Sequence, residues 1–226
     1  MAQAKTSSKW GEAPATNWID ISIPFKDKMV YWPTDPVPRV ERIKDRNKGD
    51  MVTLTEMQII DHVGTHVDAP LHFIAGGMTI DRMPLNATMG RCRVIEIKDK
   101  ESIKLKEIEP YSIRRGERIL FKTHNSSWVY KTDEFQPDYV YFSTEVAQYL
   151  VDRKVRAVGL DYLSIGTYHD RENLHDTHEI LLDAGVYIIE GINLDGVKPG
   201  RYELVCLPIL LQGGDAAPAR VIIRPI

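Results

Sequence analysis

Apolar and polar positions alternate with a period of two along much of this chain, the pattern of strands that bury one face. Residues 18–23 (WIDISI), 39–43, 51–60 (MVTLTEMQII), 90–98 (GRCRVIEIK) and 117–123 (ERILFKT) each read as a strand. Helical spacing is rarer. A charged stretch at 103–111 carries a short helical turn, and 143–153 places Val146, Ala147, Leu150 and Val151 on one face behind a Ser143 or Thr144 cap. That helix lies between apolar runs at 139–142 and 155–160, so the three predict a strand-helix-strand crossover with parallel pairing. Asp176 and Glu179 read as a capping pair for a short helix that ends at Gly185, with His178 in its first turn. The apolar run 186–189 then predicts a buried strand ending on Glu190, whose charge in that setting demands a cation, from Arg, Lys or a metal. Runs at 204–209 and 219–223 close the chain around a Gly213-Gly214-Asp215 turn. Pattern alone predicts a mixed α/β protein with about eight to ten strands and two or three helices.

Residues 1–17 are polar and rich in Ala, Ser and Thr, which predicts an arm that orders only by docking, ahead of a single domain over 18–226. With 226 residues, 43% of them hydrophobic, the chain can bury a full core. Its net charge of −3, with the two signs interspersed, offers no basic stripe for a phosphate backbone, which argues against nucleic acid and for a small-molecule partner. No apolar run approaches the roughly 20 residues of a membrane span, and the N-terminal stretch lacks the apolar core of a secretory signal, so the expected location is cytoplasmic. Cys92 and Cys206 lie in apolar strand-like runs and read as reduced core thiols.

One stretch stands apart. Residues 61–73 (DHVGTHVDAPLHF) hold three of the seven histidines, His62, His66 and His72, together with Asp68. Imidazole nitrogen combined with carboxylate oxygen suits a transition metal such as Zn²⁺, Mn²⁺ or Fe²⁺, whereas Ca²⁺ or Mg²⁺ would be held by oxygens alone. The four-residue spacing of His62 and His66 is not that of a zincin helix: Val63 stands where a Glu is needed, Gly64 weakens a helix, and Pro70 pushes Ala69 toward extended backbone. In an extended segment His66, Asp68 and His72 point the same way, and Gly64 permits the bend that brings His62 round, so three ligands and one spare imidazole converge.

The pattern His62-x-Gly64-Thr65-His66-x-Asp68-x-Pro70-x-His72 resembles the signature of the cyclase family of metal-dependent hydrolases, which includes arylformamidases (kynurenine formamidases) and isatin hydrolases. Segments 158–164 (VGLDYLS), 178–190 (HEILLDAGVYIIE) and 202–220 (YELVCLPILLQGGDAAPAR) resemble family blocks in the same order. The resemblance implies a swivelling β/β/α fold, a mixed β-sheet core with few helices. It implies Zn or Mn, one or two ions per subunit, with His62, His66 and Asp68 as ligands of one ion and His178, Glu190 and a shared Asp68 as ligands of a second. His175 lies three residues before His178 and is a rival ligand, but His178 has the family-like context with Leu181 and Leu182. His72 is implied as the catalytic acid/base. The implied reaction is hydrolysis of an aryl amide by metal-activated water, as in conversion of N-formylkynurenine to kynurenine and formate in tryptophan catabolism, by a homodimer or homotetramer. Isatin hydrolase or another cyclic amide or lactone hydrolase is the alternative enzyme, and a non-catalytic metal- or small-ligand-binding module the alternative of another class. Tyr31, Trp32, Phe73, Trp128 and Tyr162 are candidates for the wall of an aromatic pocket, and each equally suits core packing.

Overall fold

The structure, a computed structural model, describes residues 17–226. The expected N-terminal arm lies almost wholly outside the described residues. In chain order the strands are Ile19–Asp20 (β1), Arg39–Lys44 (β2), Leu54–Gln58 (β3), His66–Asp68 (β4), Met89–Glu96 (β5) and Ser102–Ile103 (β6). They continue with Arg118–Lys122 (β7), Tyr141–Phe142 (β8), Ala157–Leu160 (β9), Tyr187–Glu190 (β10), Gly200–Pro208 (β11) and Ala216–Pro225 (β12). Four α-helices accompany them: Leu85–Thr88 (α1), Leu105–Ile108 (α2), Thr144–Asp152 (α3) and Arg171–Asp183 (α4).

Eight strands form one sheet in the order β1-β12-β11-β5-β7-β9-β10-β4. Because β4 also pairs with the start of β12, the sheet closes into a barrel-like core, and β1 pairs further along β12. β5, β7, β9 and β10 run parallel, and the remaining pairs in this sheet are antiparallel. Alternation along each strand divides the core in two. Val94, Leu120, Ile189, Val67, Leu204 and Val221 fill one side of the sheet. Ile95, Phe121, Val158 and Ile188 face the other, where Val146, Ala147 and Leu150 of α3 and Leu181 and Leu182 of α4 cover them. Cys92 and Cys206 are buried free thiols.

Three local expectations are corrected. β8 does not pair with β9; it pairs in parallel with β6 in a separate two-stranded sheet, since both edges of β9 are taken by β7 and β10. Helix α3 still forms where its pattern places it, with Ser143 accepting a hydrogen bond from the Val146 N–H. Helix α4 starts earlier than the Asp176/Glu179 pair suggests, because Asp170 caps it by accepting from the Glu172 and Asn173 N–H groups. His178 therefore sits beyond mid-helix, and Gly185, at φ +71°, follows the C-terminal end. Finally, β2 and β3 form a hairpin outside the main sheet, with every residue of β3 exposed, so the alternation in 51–60 buries no face in this chain. Among the described residues, no helix is long and apolar enough to cross a membrane.

Candidate metal centre

Strand register brings the charged groups together. In the antiparallel β4–β10 pair, His66 lies directly opposite Glu190 and Asp68 opposite Ile188. Val67 and Ile189 point to one core, so the alternation turns His66, Asp68 and Glu190 toward the other side, beneath α4. There His178 meets them, 3.3 Å from Glu190 Oε1 through its Nε2. His66 Nε2 lies 3.3 Å from both Asp68 Oδ1 and Glu190 Oε2. All four residues are buried.

Two glycines make this approach possible. Gly64, at φ +66°, turns the chain between His62 and His66. Gly191, at φ +65°, follows Glu190 so closely against that turn that an added Cβ would lie 2.0 Å from the Gly64 carbonyl oxygen. Thr65 ties the two loops, its hydroxyl donating to the Gly191 carbonyl at 2.5 Å.

The imidazoles are oriented from behind. His66 Nδ1 donates to the Gly64 carbonyl at 3.0 Å and His178 Nδ1 to the Leu174 carbonyl at 2.7 Å, which leaves both Nε2 atoms directed at the carboxylates. Glu190 Oε1 also accepts from the Ile165 N–H at 2.7 Å. Phe73 stacks on His178 with ring centres 4.6 Å apart and meets His72 edge-on at 4.7 Å.

His72 arrives by a different route from the extended one expected. Pro70–His72 is a single 3-10 turn, a conformation the proline's fixed φ favours, and it lifts His72 over His62 with ring centres 3.9 Å apart. Asp215, just before β12, reaches both rings: its Oδ2 is 3.0 Å from His62 Nε2 and 3.2 Å from His72 Nδ1. His62 Nδ1 is in turn 3.0 Å from Asp68 Oδ1.

These approaches are short without being hydrogen bonds throughout. Among the described residues, His66 Nε2 and both Asp68 oxygens have no hydrogen-bond partner although fully enclosed, because the rings and the carboxylate meet at poor angles. Buried polar atoms are rarely left so, and imidazole nitrogen beside carboxylate oxygen is the donor chemistry that could hold a cation. Ligand atoms of His66, Asp68 and Glu190 lie within 4.8 Å of one another, as do those of His62, Asp68 and His72. Cross-strand register groups His66 with Glu190 where the sequence reading grouped it with His62, and Asp68 belongs to both of these clusters.

Metal-free, the cluster holds protons. Burial opposes a charge on His62, but the Asp215 and Asp68 carboxylates outweigh it and raise its pKa to about 11. His66 rises to about 9 against the same burial, through Asp68 and Glu190. His178 is raised too, with burial overcome by Glu190. Burial pushes Asp68 up, yet His62 and His66 hold it well below the carboxylate range; Asp215 is lowered by His62 and His72.

A cavity of about 280 Å³ opens onto this cluster. Of the aromatic candidates, Trp32 and Phe73 line it, with Ile60, Leu163 and Leu174 adding apolar surface. Tyr162 does not line it: the ring is buried, stacked on Tyr139 at 4.0 Å, with its hydroxyl bonded to the Gln136 carbonyl. Trp128 packs against Tyr162 and the core, and Tyr31 is likewise not among the lining residues. His175 is exposed beside Asp176 and Glu179, away from the carboxylates that His178 meets. Asp215 and Asp35, which also lines the cavity and whose carboxyl is raised by burial, escaped the sequence reading. Asp215 was visible only as a turn residue.

The Cyclase family model matches residues 19–167. Kynurenine formamidase of Bacillus cytotoxicus is 32% identical over 212 residues, covering 94% of this chain and 99% of that protein. The Bacillus cereus enzyme of the same name is 32% identical over 211 residues, covering 93% and 99%. A solved structure described as a potential metal-dependent hydrolase with cyclase activity is 34% identical, covers 91% of this chain and 96% of its own, and superposes with a TM-score of 0.79. Isatin hydrolase A from Labrenzia aggregata, 21% identical over 92% of this chain and 93% of its own, shares the fold at a TM-score of 0.77. Matches of this extent, spanning the histidine signature and the strands that present it, make the chain a member of the cyclase family of metal-dependent hydrolases.

Proposed function

We propose that the chain is an arylformamidase, hydrolysing an aryl formamide of the N-formylkynurenine type to the aryl amine and formate. The observation that carries this reading is a set of unpartnered buried ligand atoms, on His66 and Asp68, in contact with the His62 and Glu190 side chains that line a cavity walled by Trp32 and Phe73. The near-full-length kynurenine formamidase relatives support the same substrate class. His62, His66, Asp68, His178 and Glu190 hold one or two Zn or Mn ions, with Asp68 shared.

A divalent ion in this set supplies Lewis acidity, bringing water toward deprotonation near neutral pH and polarising a carbonyl. His72 carries the proton. Its Nδ1–H donates to Asp215, which leaves Nε2 for the cavity. There it accepts a proton as water attacks the formyl carbon and delivers one to the aryl nitrogen as the C–N bond breaks, a role worth roughly 10² to 10⁴ in rate. Trp32 and Phe73 flank the aryl ring, and Asp215 keeps the His72 ring in one tautomer.

The same reading includes a homodimer or homotetramer. Ile43, Leu54 and Met57 are each about half exposed on the β2–β3 hairpin, more apolar surface than a lone hairpin normally presents to water. The decisive assay presents N-formylkynurenine, a simple aryl formamide and isatin to metal-reconstituted protein. Formate release from the first two, faster than isatin opening, is expected; isatin turnover alone would replace this reading with its cyclic-amide rival.

A further inference from the structure

Although the chain is acidic overall, folding gathers six arginines around one cavity of about 280 Å³: Arg91, Arg93, Arg114, Arg115, Arg118 and Arg201. Three separate stretches contribute them, β5, the loop into β7 together with the first residue of that strand, and β11, which is why linear charge patterning shows no basic stripe. The cavity lies away from the metal centre. β5, β7, β9 and β10 run parallel, and Arg91, Arg93 and Arg118 sit toward their N-terminal ends, whereas Glu190 closes β10 at the C-terminal end.

Within this pocket the chain does little to neutralise its own charge. Register sets Arg93 directly opposite Arg201, a like-charged cross-strand pair that destabilises an antiparallel ladder. Glu117 pairs with Arg93. Glu203, opposite Arg91, is engaged by Arg224 instead. Arg91, Arg114, Arg115, Arg118 and Arg201 have no ion pair among the described residues, and Ile226, which lines the same cavity, forms none with them.

Arg118 is the sharpest case. It is 7% exposed, and its donors go to the carbonyls of Ala87, Asn86 and Arg91, not to a carboxylate. Arg156 donates to the same Asn86 carbonyl at 3.3 Å, so two guanidinium groups converge on one oxygen. Burial, then the neighbouring Arg156, presses the Arg118 pKa down from its usual value. A buried cation without a counter-ion, ringed by further cations, is a costly arrangement that an anion would relieve.

We propose that this pocket is an anion site, separate from the metal centre, that binds a phosphoryl group as free phosphate or as a small phosphomonoester. Guanidinium groups present paired donors that match phosphate oxygens, and a dianion offsets the surplus charge where a single carboxylate would not. The pocket is too small to track a nucleic-acid backbone. It therefore selects a compact ligand.

The test is calorimetric titration of the metal-loaded protein at constant ionic strength with inorganic phosphate, glycerol phosphate and citrate. Saturable binding of phosphate or the phosphomonoester is expected, weakened at least tenfold in Arg91→Gln/Arg201→Gln and in Arg114→Gln/Arg115→Gln, whose side chains are at the surface. Asp68→Asn, a change at the metal centre and not in this pocket, should retain it. Tighter binding of the ester than of free phosphate identifies a metabolite as the ligand, and the reverse order identifies phosphate itself. Loss of binding in Asp68→Asn with the arginine variants unaffected, citrate binding without phosphate, or no saturable binding to the native protein would each overturn the proposal.

Discussion

At the residue scale the site depends on contacts that tolerate no added atom. Gly191→Ala would place a Cβ 2.0 Å from the Gly64 carbonyl oxygen and strain a left-handed φ. A loss of stability well above the ~1–3 kcal/mol of backbone strain alone is expected in denaturant titration. Gly196, at φ +74° with nothing within 4 Å of an added Cβ, is the control: Gly196→Ala should show the strain alone. His72 and Asp215 separate chemistry from metal retention. His72→Asn should keep its metal and lower kcat by about 10² or more, roughly 2.7 kcal/mol of transition-state stabilisation. Asp215→Asn should lower kcat by about 10- to 100-fold by releasing the His72 tautomer. Metal analysis beside steady-state kinetics decides, and parallel loss of metal and activity in His72→Asn would make His72 a ligand. His66→Ala and Asp68→Ala should lose both together.

At the element scale, α4 decides whether His178 reaches Glu190. Asp170 satisfies two N–H groups at its start, whereas among the described residues Asp176 and Glu179 pair with His175 on the exposed face. Asp170→Ala should therefore lower stability by about 1 kcal/mol, while Asp176→Ala stays within about 0.5 kcal/mol. Equal effects from the two would mean that the cap does not anchor this helix. β4 has the opposite character. Three residues long, it is held by β10 on one side and β12 on the other, so its register, and with it the His66–Glu190 pairing, is set by its neighbours.

For the whole molecule, protons and metal compete for the same lone pairs. His66 and His62 have folded, metal-free pKa values raised to about 9 and about 11. Their contribution to metal-free stability is therefore fully present below the ordinary histidine pKa of about 6.5 and is lost as pH rises through those values. Metal affinity should move the other way, weakening by up to about tenfold per pH unit for each proton displaced as pH falls from 9 to 6. Thermal melts of metal-free and metal-loaded protein across that range check both signs; a metal affinity indifferent to pH would remove these imidazoles from the ligand set. Light scattering is expected to give a dimer or larger, and a 25.8 kDa particle at micromolar concentration would contradict it.

What the sequence determined by itself is what short covalent spacing can enforce. His62, His66, Asp68 and His72 fall within one turn-rich stretch, so they could not end far apart; Ser143 caps α3 and Gly185 follows α4 for equally local reasons. The pleat also turned Glu190 and Ile189 to opposite sides without help from the rest of the chain. Other features required the closed sheet. Opposition of Glu190 to His66 is a matter of register between strands far apart in sequence, and Asp215 reaches His72 only because β12 returns to the edge of β4. Trp32 was indistinguishable from Tyr162 as an aromatic in the sequence; one faces the cavity and the other is sealed in the core because packing, not composition, assigns buried area. The arginine pocket is the extreme case, since charges spread evenly along the chain become a cluster only when β5, β7 and β11 lie side by side.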